Sequence, residues 1–343
     1  MRAGGFFRLA ARSSYRGQRL LILCYHGISL EDEHEWSPGL FVSRERFEDR
    51  LRRLREAGCV VLGLGEAVRR LYERNLPALS VAITFDDGLY DFHAAAYPLL
   101  EKYGMPATVY WSTYYSSSRR PVFPVACSYI LWKGRTRPLD SLEEFGVTGR
   151  PDLATPAGRR CVQLAILAMA EKDGFSAEDK DGLLSRLAVR LEFDYGIFCG
   201  KRILQLMTPA EAAQLAAKGV DFQLHTHRHR VPRVEELFRG EIEDNRRLVA
   251  AVTGREASHF CYPGGDYDQR LLPWLRAEGI ASATTCEPRL ASPADSPLLL
   301  PRYVDNMHHA EVDFESWLCG AKDMLRRLAG RHPAGEDREY TEL

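Results

Sequence analysis

Two acidic residues stand side by side after an apolar run, where carboxylates can take part in metal or proton chemistry. The run LSVAITF at 79–85 is followed directly by Asp86, Asp87 and Gly88. Neighbouring side chains of an extended chain point to opposite sides, so one carboxylate could bind a metal ion while the other reaches the attacking water. Asp-Asp-Gly is also a common turn sequence, so the pair alone does not define a site.

Three histidines within five residues are candidate partners for these carboxylates. His225, His227 and His229 follow the apolar run that begins at Val220. His225 and His229 are four residues apart and can converge on one ion if the chain bends helically there. With Asp87 they make a set of two histidines and one carboxylate, which is typical of catalytic metal sites with open positions. A solvated loop is the alternative, and the spacing leaves the role of His227 open.

Two further motifs could complete such a site. Pro263-Gly264-Gly265 ends the run HFCY, and its backbone N–H groups could stabilise an oxyanion, although an ordinary turn has the same sequence. His26, in the Tyr-His-Gly that ends the first apolar run, is a candidate general acid because the pKa of imidazole lies near neutrality.

The elements that must position these motifs alternate between strand and helix patterns. Apolar runs with the character of buried strands lie at 20–28, 59–64, 79–85, 107–112, 220–229, 259–265, 280–286 and 298–306. Amphipathic helices are predicted between them, and FESWLCGAKDMLRRLAG is predicted to form one C-terminal helix. This alternation predicts a mostly parallel sheet with outer helices, whose sites form at the carboxyl ends of the strands.

The alternation stops between about residues 113 and 205. Helix starts at Thr155-Pro156 and at Ser176, three residues before Asp179, predict a helical insertion in this region. We expect a catalytic domain at 19–325 that contains this insertion.

The two ends of the chain are charged. Residues 1–18 are basic and are predicted to form an N-terminal arm, either solvated, or in contact with an anionic membrane surface, or part of a transit peptide. Residues 331–343 are predicted to be a disordered tail.

Composition excludes several classes of protein. The 46 basic and 47 acidic residues nearly cancel, which argues against a nucleic-acid binder that depends on bulk positive charge. The eight cysteines form no C-x-x-C pair and several lie in apolar runs, as is typical of buried free thiols in a reducing compartment. No secretory signal or membrane-spanning run is recognisable, so we expect a location in the cytoplasm or at the inner membrane surface.

Taken in chain order, TFDDG at 84–88, HTHRH at 225–229 and FCYPGG at 260–265 resemble the motifs of the polysaccharide deacetylases, the carbohydrate esterase family 4 with its NodB homology domain. HTHRH matches the family pattern His-[Ser/Thr]-x-x-His. The first two motifs together are specific, whereas the third is looser. The resemblance covers roughly residues 18–310. It implies an α/β fold, a distorted (β/α)7-type barrel, which agrees with the alternation above.

The resemblance implies a role for each matching residue. Asp86 is the implied general base that deprotonates the attacking water. Asp87, His225 and His229 are the implied ligands of a divalent metal ion, and zinc is the expected metal. The backbone N–H of Gly264 is the implied oxyanion donor.

Two departures from the family pattern move roles to other residues. Many members carry an arginine in the third motif that tethers the base, and here Cys261 stands near that place. Arg302 is a candidate tether from another strand, and it is also a candidate contact for substrate. No late Leu-x-His motif is recognisable. The early Tyr-His-Gly resembles the subgroup in which an N-terminal histidine is the acid, as in deacetylases of poly-N-acetylglucosamine, so His26 is the predicted acid.

Together these features predict a hydrolase of non-peptide carbon–nitrogen bonds, a metal-dependent enzyme that removes the N-acetyl group of an amino sugar as acetate. The sugar would belong to a polysaccharide, an oligosaccharide or a lipid- or nucleotide-linked precursor. Tyr262 and Arg302 are predicted to bind it. Aromatic rings can stack on sugars but are as often core, and the other candidates are Trp111, Tyr114, Tyr115 and Trp132.

Two alternatives remain at this stage. One is a metal-dependent hydrolase of a non-sugar amide on the same fold. The other is a catalytically inactive carbohydrate-binding module, against which the complete Asp-Asp and His-x-x-x-His sets count.

Overall fold

Parallel strands alternate with helices in the computed structural model, which describes residues 5–137 and 141–329. Every strand pairing within its two sheets is parallel. The strands in chain order are β1 Leu21–Tyr25, β2 Gly27–Ile28, β3 Phe41–Val42, β4 Val60–Val61, β5 Ser80–Phe85, β6 Thr108–Trp111, β7 Asp221–Leu224, β8 His259–Cys261, β9 Ser282–Thr284 and β10 Tyr303–Val304.

The helices fill the connections between these strands. A π-helical stretch at Phe92–Ala96 leads into one of them, α6. The α-helices are α1 Gly5–Ala11, α2 Ser14–Gly17, α3 Glu33–Trp36, α4 Arg44–Glu56, α5 Leu64–Tyr72, α6 Tyr97–Tyr103, α7 Phe123–Lys133, α8 Pro156–Lys172, α9 Ala177–Arg190, α10 Tyr195–Gly200, α11 Pro209–Ala217, α12 Glu235–Thr253, α13 Leu271–Ala277, α14 Glu311–Leu318 and α15 Ala321–Leu328.

The main sheet has the strand order β10-β1-β5-β6-β7-β8-β9. β4 pairs with the amino end of β5, and β6 pairs with its carboxyl end. An isolated parallel bridge joins Thr284, at the end of β9, to Leu300, so the segment that leads into β10 contacts the opposite edge of the sheet as well. This curled parallel sheet with surrounding helices confirms the predicted α/β barrel-type fold.

The sequence explains the central strands and their helices. β1 and β5 are buried along their whole length, as expected for parallel strands covered on both faces. α4 begins after Ser43, whose hydroxyl accepts the N–H of Arg46, and it buries Phe47, Leu51 and Leu54 on one face.

The described residues divide into two compact units. The first contains all the strands and consists of the chain up to Ser117 and from Met207 onward, and the second is Ser118–Leu206. The second unit is helical. Its helices α8 and α9 begin after Thr155 and Ser176, the two starts predicted from their capping patterns.

Three element predictions were wrong in detail. The run at 20–28 is not one strand, because the chain leaves the main sheet at His26 and β2 pairs with β3 instead. The run at 298–306 is strand only at β10, since Pro297 begins a 3-10 turn and Pro301 has no N–H to donate. The C-terminal helix is two helices, separated at Gly320, whose φ of 77° is left-handed.

Within the first unit, the basic N-terminal segment is buried at Ala10, Ala11 and Arg16, whereas Phe6 and Leu9 remain exposed. Arg16 is fully buried, and its Nε donates to the carbonyl of Leu318 at 2.7 Å. Burial lowers the pKa of Arg16 to about 10. The first four residues and the predicted disordered tail at 331–343 lie outside the described residues. Within the described ranges, no helix is both long and apolar enough to span a bilayer.

Candidate metal and catalytic centre

Asp87, His225 and His229 come together where β5 and β7 end. Nε2 of His225 lies 3.2 Å from Oδ1 of Asp87, and Nε2 of His229 lies 3.0 Å from the same oxygen. Atoms of all three residues that could bind a metal lie within 4.8 Å of one another. Asp87 and His225 are buried, whereas His229 is partly exposed, so the cluster is accessible from its His229 side.

Hydrogen bonding in this triad fits a metal ion. Nδ1 of His225 lies 2.9 Å from the carbonyl oxygen of Cys261, which places the proton on Nδ1 and leaves a lone pair on Nε2 facing Asp87. The distances from Asp87 to the two imidazoles are short enough for hydrogen bonds. With this tautomer, however, Nε2 of His225 has no proton to donate, so two acceptor atoms, this nitrogen and Oδ1 of Asp87, face each other. Two imidazole nitrogens and a buried carboxylate form a donor set that divalent zinc-type ions bind.

The electrostatics of the triad agree with this interpretation. Burial alone would raise the pKa of Asp87, but the charge of His229 outweighs it and keeps the pKa well below its ordinary value. Burial alone would lower the pKa of His229, and the Asp87 carboxylate raises it above its ordinary value. Asp87 is therefore an ionised carboxylate beside the two imidazoles.

α12 supports the histidine motif from behind. Oδ1 of Asn245 accepts the backbone N–H of His225 at 2.9 Å, and Nδ2 of Asn245 donates to Oγ1 of Thr113 at 2.9 Å. One helical turn earlier, Glu241 accepts the backbone N–H of Arg228 at 2.7 Å. Sequence reasoning missed both supports; their four-residue spacing on one helix was the available signal.

A sharp bend, rather than a helical turn, brings the two histidines of the triad together. Thr226 and His229 have positive φ values of 60° and 54°. The rings of His225 and His229 are consequently 4.9 Å apart. His227 lies outside the triad, with its Nδ1 at 2.8 Å from Oγ1 of Thr113.

Asp86 is held by Arg302. Nη1 of Arg302 donates to Oδ1 of Asp86 at 2.6 Å, and Nη2 donates to Oδ2 at 2.7 Å. Burial alone would raise the pKa of Asp86, but Arg302 outweighs it and keeps the pKa well below the ordinary value. Arg302 is itself fully buried. The prediction that Arg302 binds substrate is therefore wrong, because both terminal nitrogens of its guanidinium are hydrogen-bonded to Asp86. This geometry is the one expected of a residue that tethers Asp86.

Two thiols also contact Asp86. Sγ of Cys261 lies 3.3 Å from Oδ2 of Asp86, and Sγ of Cys24 lies 3.6 Å from the same oxygen. Burial raises the pKa of both thiols, so both are neutral and can donate S–H to the carboxylate. Sequence reasoning treated Cys24 only as a buried thiol, although it is two residues before His26 and therefore on the same side of the chain.

His26 and Gly264 follow β1 and β8, two strands of the same sheet that are separated by β5, β6 and β7. Nε2 of His26 is 3.9 Å from Oδ2 of Asp86, and its side chain is 12 % exposed. Burial lowers the pKa of His26, and the carboxylates of Asp86 and Asp87 oppose that effect. Gly264 follows β8 and has a φ of 61°, a left-handed conformation that glycine adopts without strain.

Tyr262 does not reach the site. Its side chain is fully buried, its hydroxyl donates to the carbonyl of Leu298 at 2.9 Å, and its ring packs edge-on against Phe260 at 5.1 Å. The prediction that Tyr262 binds substrate is therefore wrong. Trp111 is also buried in the core of the first unit. Tyr114 and Tyr115 are exposed beside the histidine motif, and Trp132 is a largely buried residue of the second unit.

Sequence comparison gives the class of the domain. A family model described as polysaccharide deacetylase matches residues 73–134 and 190–283. YxkH of Bacillus subtilis (strain 168), a protein assigned by name to the polysaccharide deacetylases, is 39 % identical over 93 residues, which are 27 % of this chain. The match spans 31 % of the length of that relative. The segments matched by this family model include the Asp-Asp, histidine and Pro-Gly-Gly motifs, which confirms the resemblance to the polysaccharide deacetylases.

Solved structures agree on the fold. The deacetylase PplD of Streptococcus pyogenes, in complex with acetate, matches with a TM-score of 0.56 and 19 % identity, covering 86 % of this chain and 96 % of PplD. IcaB of Ammonifex degensii matches with a TM-score of 0.55 and 17 % identity over 88 % and 97 % of the two chains. A de-N-acetylase of Aggregatibacter actinomycetemcomitans matches with a TM-score of 0.54 and 12 % identity, covering 87 % of this chain and 99 % of that protein. At these identities the likeness establishes the fold.

Proposed function

We propose that the protein is a metal-dependent deacetylase that hydrolyses the N-acetyl group of an amino sugar and releases acetate. The observation that carries the proposal is the pairing, at one edge of the sheet, of the Asp87–His225–His229 triad with a second carboxylate, Asp86, that is kept ionised by Arg302. The match to the polysaccharide deacetylase family model supports a sugar as the substrate.

The residues around the triad fit the four tasks of amide hydrolysis. A divalent cation held by the triad would lower the pKa of the attacking water and polarise the acetamide carbonyl. Asp86 accepts the proton of that water, a role that its low pKa allows only for an activated water. The N–H of Gly264 donates to the developing oxyanion. His26, in its protonated form, gives a proton to the leaving amine as the carbon–nitrogen bond breaks.

The substrate belongs to the acetylated sugars in this proposal, and its context remains a prediction. The exposed rings of Tyr114 and Tyr115 offer a surface on which a sugar ring could stack. A lipid- or nucleotide-linked precursor in the cytoplasm, or at the inner membrane surface, is the context that we expect from the sequence.

The deciding experiment measures metal and acetate together. The full chain is purified, its metal content is measured, and acetate release from an N-acetylglucosamine oligomer is followed with and without a chelator. We expect about one metal ion per chain, loss of acetate release in the chelator, and recovery on adding zinc. Metal without acetate would favour the non-sugar amide hydrolase, and no metal even with added zinc would favour the inactive binding module.

Replacing Arg302 with methionine should move the acidic limb of the pH profile. The reaction needs Asp86 as a carboxylate, and Arg302 is the charge that keeps its pKa low against burial. Without that charge the pKa of Asp86 rises, so activity should be lost at a higher pH as the solution is acidified. We expect the acidic limb of kcat/KM to move upward by about 1–3 pH units.

The matched control for this variant is Arg302→Lys, which keeps a positive charge and should show a smaller displacement of the same limb. Metal content and thermal unfolding of both variants separate a pH effect from misfolding. An unchanged acidic limb in a folded, metal-loaded Arg302→Met protein would contradict the role of Arg302 as tether.

A further inference from the structure

An exposed aromatic and cationic surface adjoins the histidine motif at His227, and its arginines have no part in the roles above. It consists of Tyr114, Tyr115, Arg228 and Arg230, which we name the Tyr–Arg rim. Tyr114 and Tyr115 follow β6 and are 50 % and 40 % exposed. Arg228 and Arg230 flank His229 in the chain, and the Arg230 side chain is 57 % exposed.

Backbone hydrogen bonds join the two loops of the rim. The N–H groups of Thr113 and Tyr114 both donate to the carbonyl of His227, at 3.2 and 2.8 Å. The Tyr114 ring is edge-on to Tyr115 at 4.9 Å and edge-on to His227 at 5.4 Å. The rim is therefore positioned by the same motif that supplies two ligands of the triad.

The arginines of the rim carry more positive charge than their partners neutralise. Nη1 of Arg228 lies 3.2 Å from Oε1 of Glu241, and Nε of Arg230 lies 2.7 Å from the same oxygen. One buried carboxylate thus serves two guanidinium groups. Oδ2 of Asp244 lies 3.8 Å from Nη1 of Arg228, but Oδ1 of Asp244 accepts a hydrogen bond from Nη2 of Arg247 at 2.7 Å. Three arginines and two acids leave a net charge of +1.

Arg230 still has donors to offer. In the described ranges, its side chain bonds to Glu241 through Nε, and its two terminal nitrogens form no ion pair with another residue. The guanidinium carbon of Arg228 lies over the Tyr114 ring, 5.2 Å from its centroid, so a positive charge lies next to the two tyrosines. A planar guanidinium with free terminal N–H groups matches a phosphate or a carboxylate.

We propose that the Tyr–Arg rim is a substrate subsite that binds the anionic group, a phosphate or a carboxylate, of an acidic N-acetylated sugar. This inference rests on the proposed deacetylase function, since it places the acetamide at the triad. Tyr114 and Tyr115 contact the sugar ring, and Arg230 donates to the anion. A phosphate could come from a diphosphate-linked sugar, and a carboxylate could come from a uronic acid within a glycan.

The test compares one neutral substrate with two anionic ones. The substrates are an N-acetylglucosamine oligomer, a nucleotide diphosphate-linked N-acetyl sugar, and an oligosaccharide of N-acetylated amino sugar and uronic acid. For the preferred anionic substrate, we expect Arg230→Gln to raise KM by about tenfold and to change kcat by less than about twofold. KM for the neutral oligomer should stay unchanged. The anionic substrate that responds identifies the phosphate or the carboxylate.

Two control variants separate charge recognition from structure. Arg230→Lys keeps the charge and should restore part of the affinity. Arg69→Gln removes an ion-paired arginine from α5 whose side chain has a similar exposure, 51 %. This variant should leave KM unchanged for both the neutral and the anionic substrate. Raised salt should weaken binding of the anionic substrate to the wild type more than to Arg230→Gln.

Several outcomes would overturn the subsite. They are an equal KM for neutral and anionic substrates in the wild type, an equal effect of Arg230→Gln on both, or loss of metal from Arg230→Gln. If no substrate releases acetate, the proposed function fails. Equilibrium binding of the nucleotide-linked sugar, measured by calorimetry, then still tests whether the Tyr–Arg rim binds an anion. Equal affinities of the wild type and Arg230→Gln for this sugar would contradict the anion subsite.

Discussion

Replacing Asp86 with asparagine is expected to lower kcat by about 10²–10⁴-fold while the protein keeps its metal. The amide is nearly the same size as the carboxylate but cannot accept the proton of the attacking water at neutral pH. The triad uses Asp87 and the two histidines, so its ligand atoms are unchanged. Acetate release and metal content, measured on the same preparation, check both halves of this expectation.

The matched control is Asp268→Asn, which makes the same chemical change at an acid that is paired with Arg270 in the loop after the third motif. It should leave kcat and metal content unchanged. Wild-type turnover in Asp86→Asn would remove Asp86 as the base. Loss of metal from that variant would instead assign Asp86 to the metal site.

Replacing His225 or His229 with alanine should remove the metal and the activity together. Each change deletes one nitrogen of a three-ligand set. Because changes to residues that merely orient a ligand already cost about 10–100-fold in metal affinity, we expect a loss of at least about 100-fold here. Metal titration of the apoprotein measures this loss directly.

His227→Ala is the control within the same motif. Its Nδ1 is hydrogen-bonded to Thr113 and the residue is not one of the triad, so the variant should bind metal as the wild type does. Metal loss in His227→Ala equal to that in His225→Ala would show that His227 is a ligand and that the triad is incomplete.

The triad was predictable from the sequence because its signals are local. Asp87 directly follows an apolar run, and His225 and His229 follow another. Parallel strands end at the same edge of a sheet, so the residues after two such runs meet without any knowledge of the full topology. The spacing could not give the form of the bend, which depends on the left-handed backbone at Thr226 and His229.

The partner of Asp86 was harder to predict because it is determined by strand order. Arg302 follows Pro301 near the start of β10, and β10 pairs with β1, which in turn pairs with β5. Only this order brings Arg302 to Asp86. The sequence therefore left Arg302 with two roles, and the structure distinguishes them through the two hydrogen bonds.

The error at Tyr262 has a simple physical cause. Side chains two residues apart on a strand point the same way, so Phe260 and Tyr262 enter the core together. Cys261, between them, faces Asp86 instead. Interpreting Tyr262 as a sugar-binding residue depended on its nearness to the motif in sequence and neglected this alternation.

The dependence of Asp86 on Arg302 also has a consequence for synthesis on the ribosome. The two residues are 216 positions apart, and β10 is the last strand of the described sheet to be translated. At about 5–20 residues per second, a nascent chain holds Asp86 for roughly 10–40 seconds before its counter-charge exists. A chain that stalls in this interval cannot form the Asp86–Arg302 pair. Such a truncated product would contain every residue of the triad but would lack the charge that keeps the pKa of Asp86 low, so its base would become protonated at a higher pH than in the complete chain.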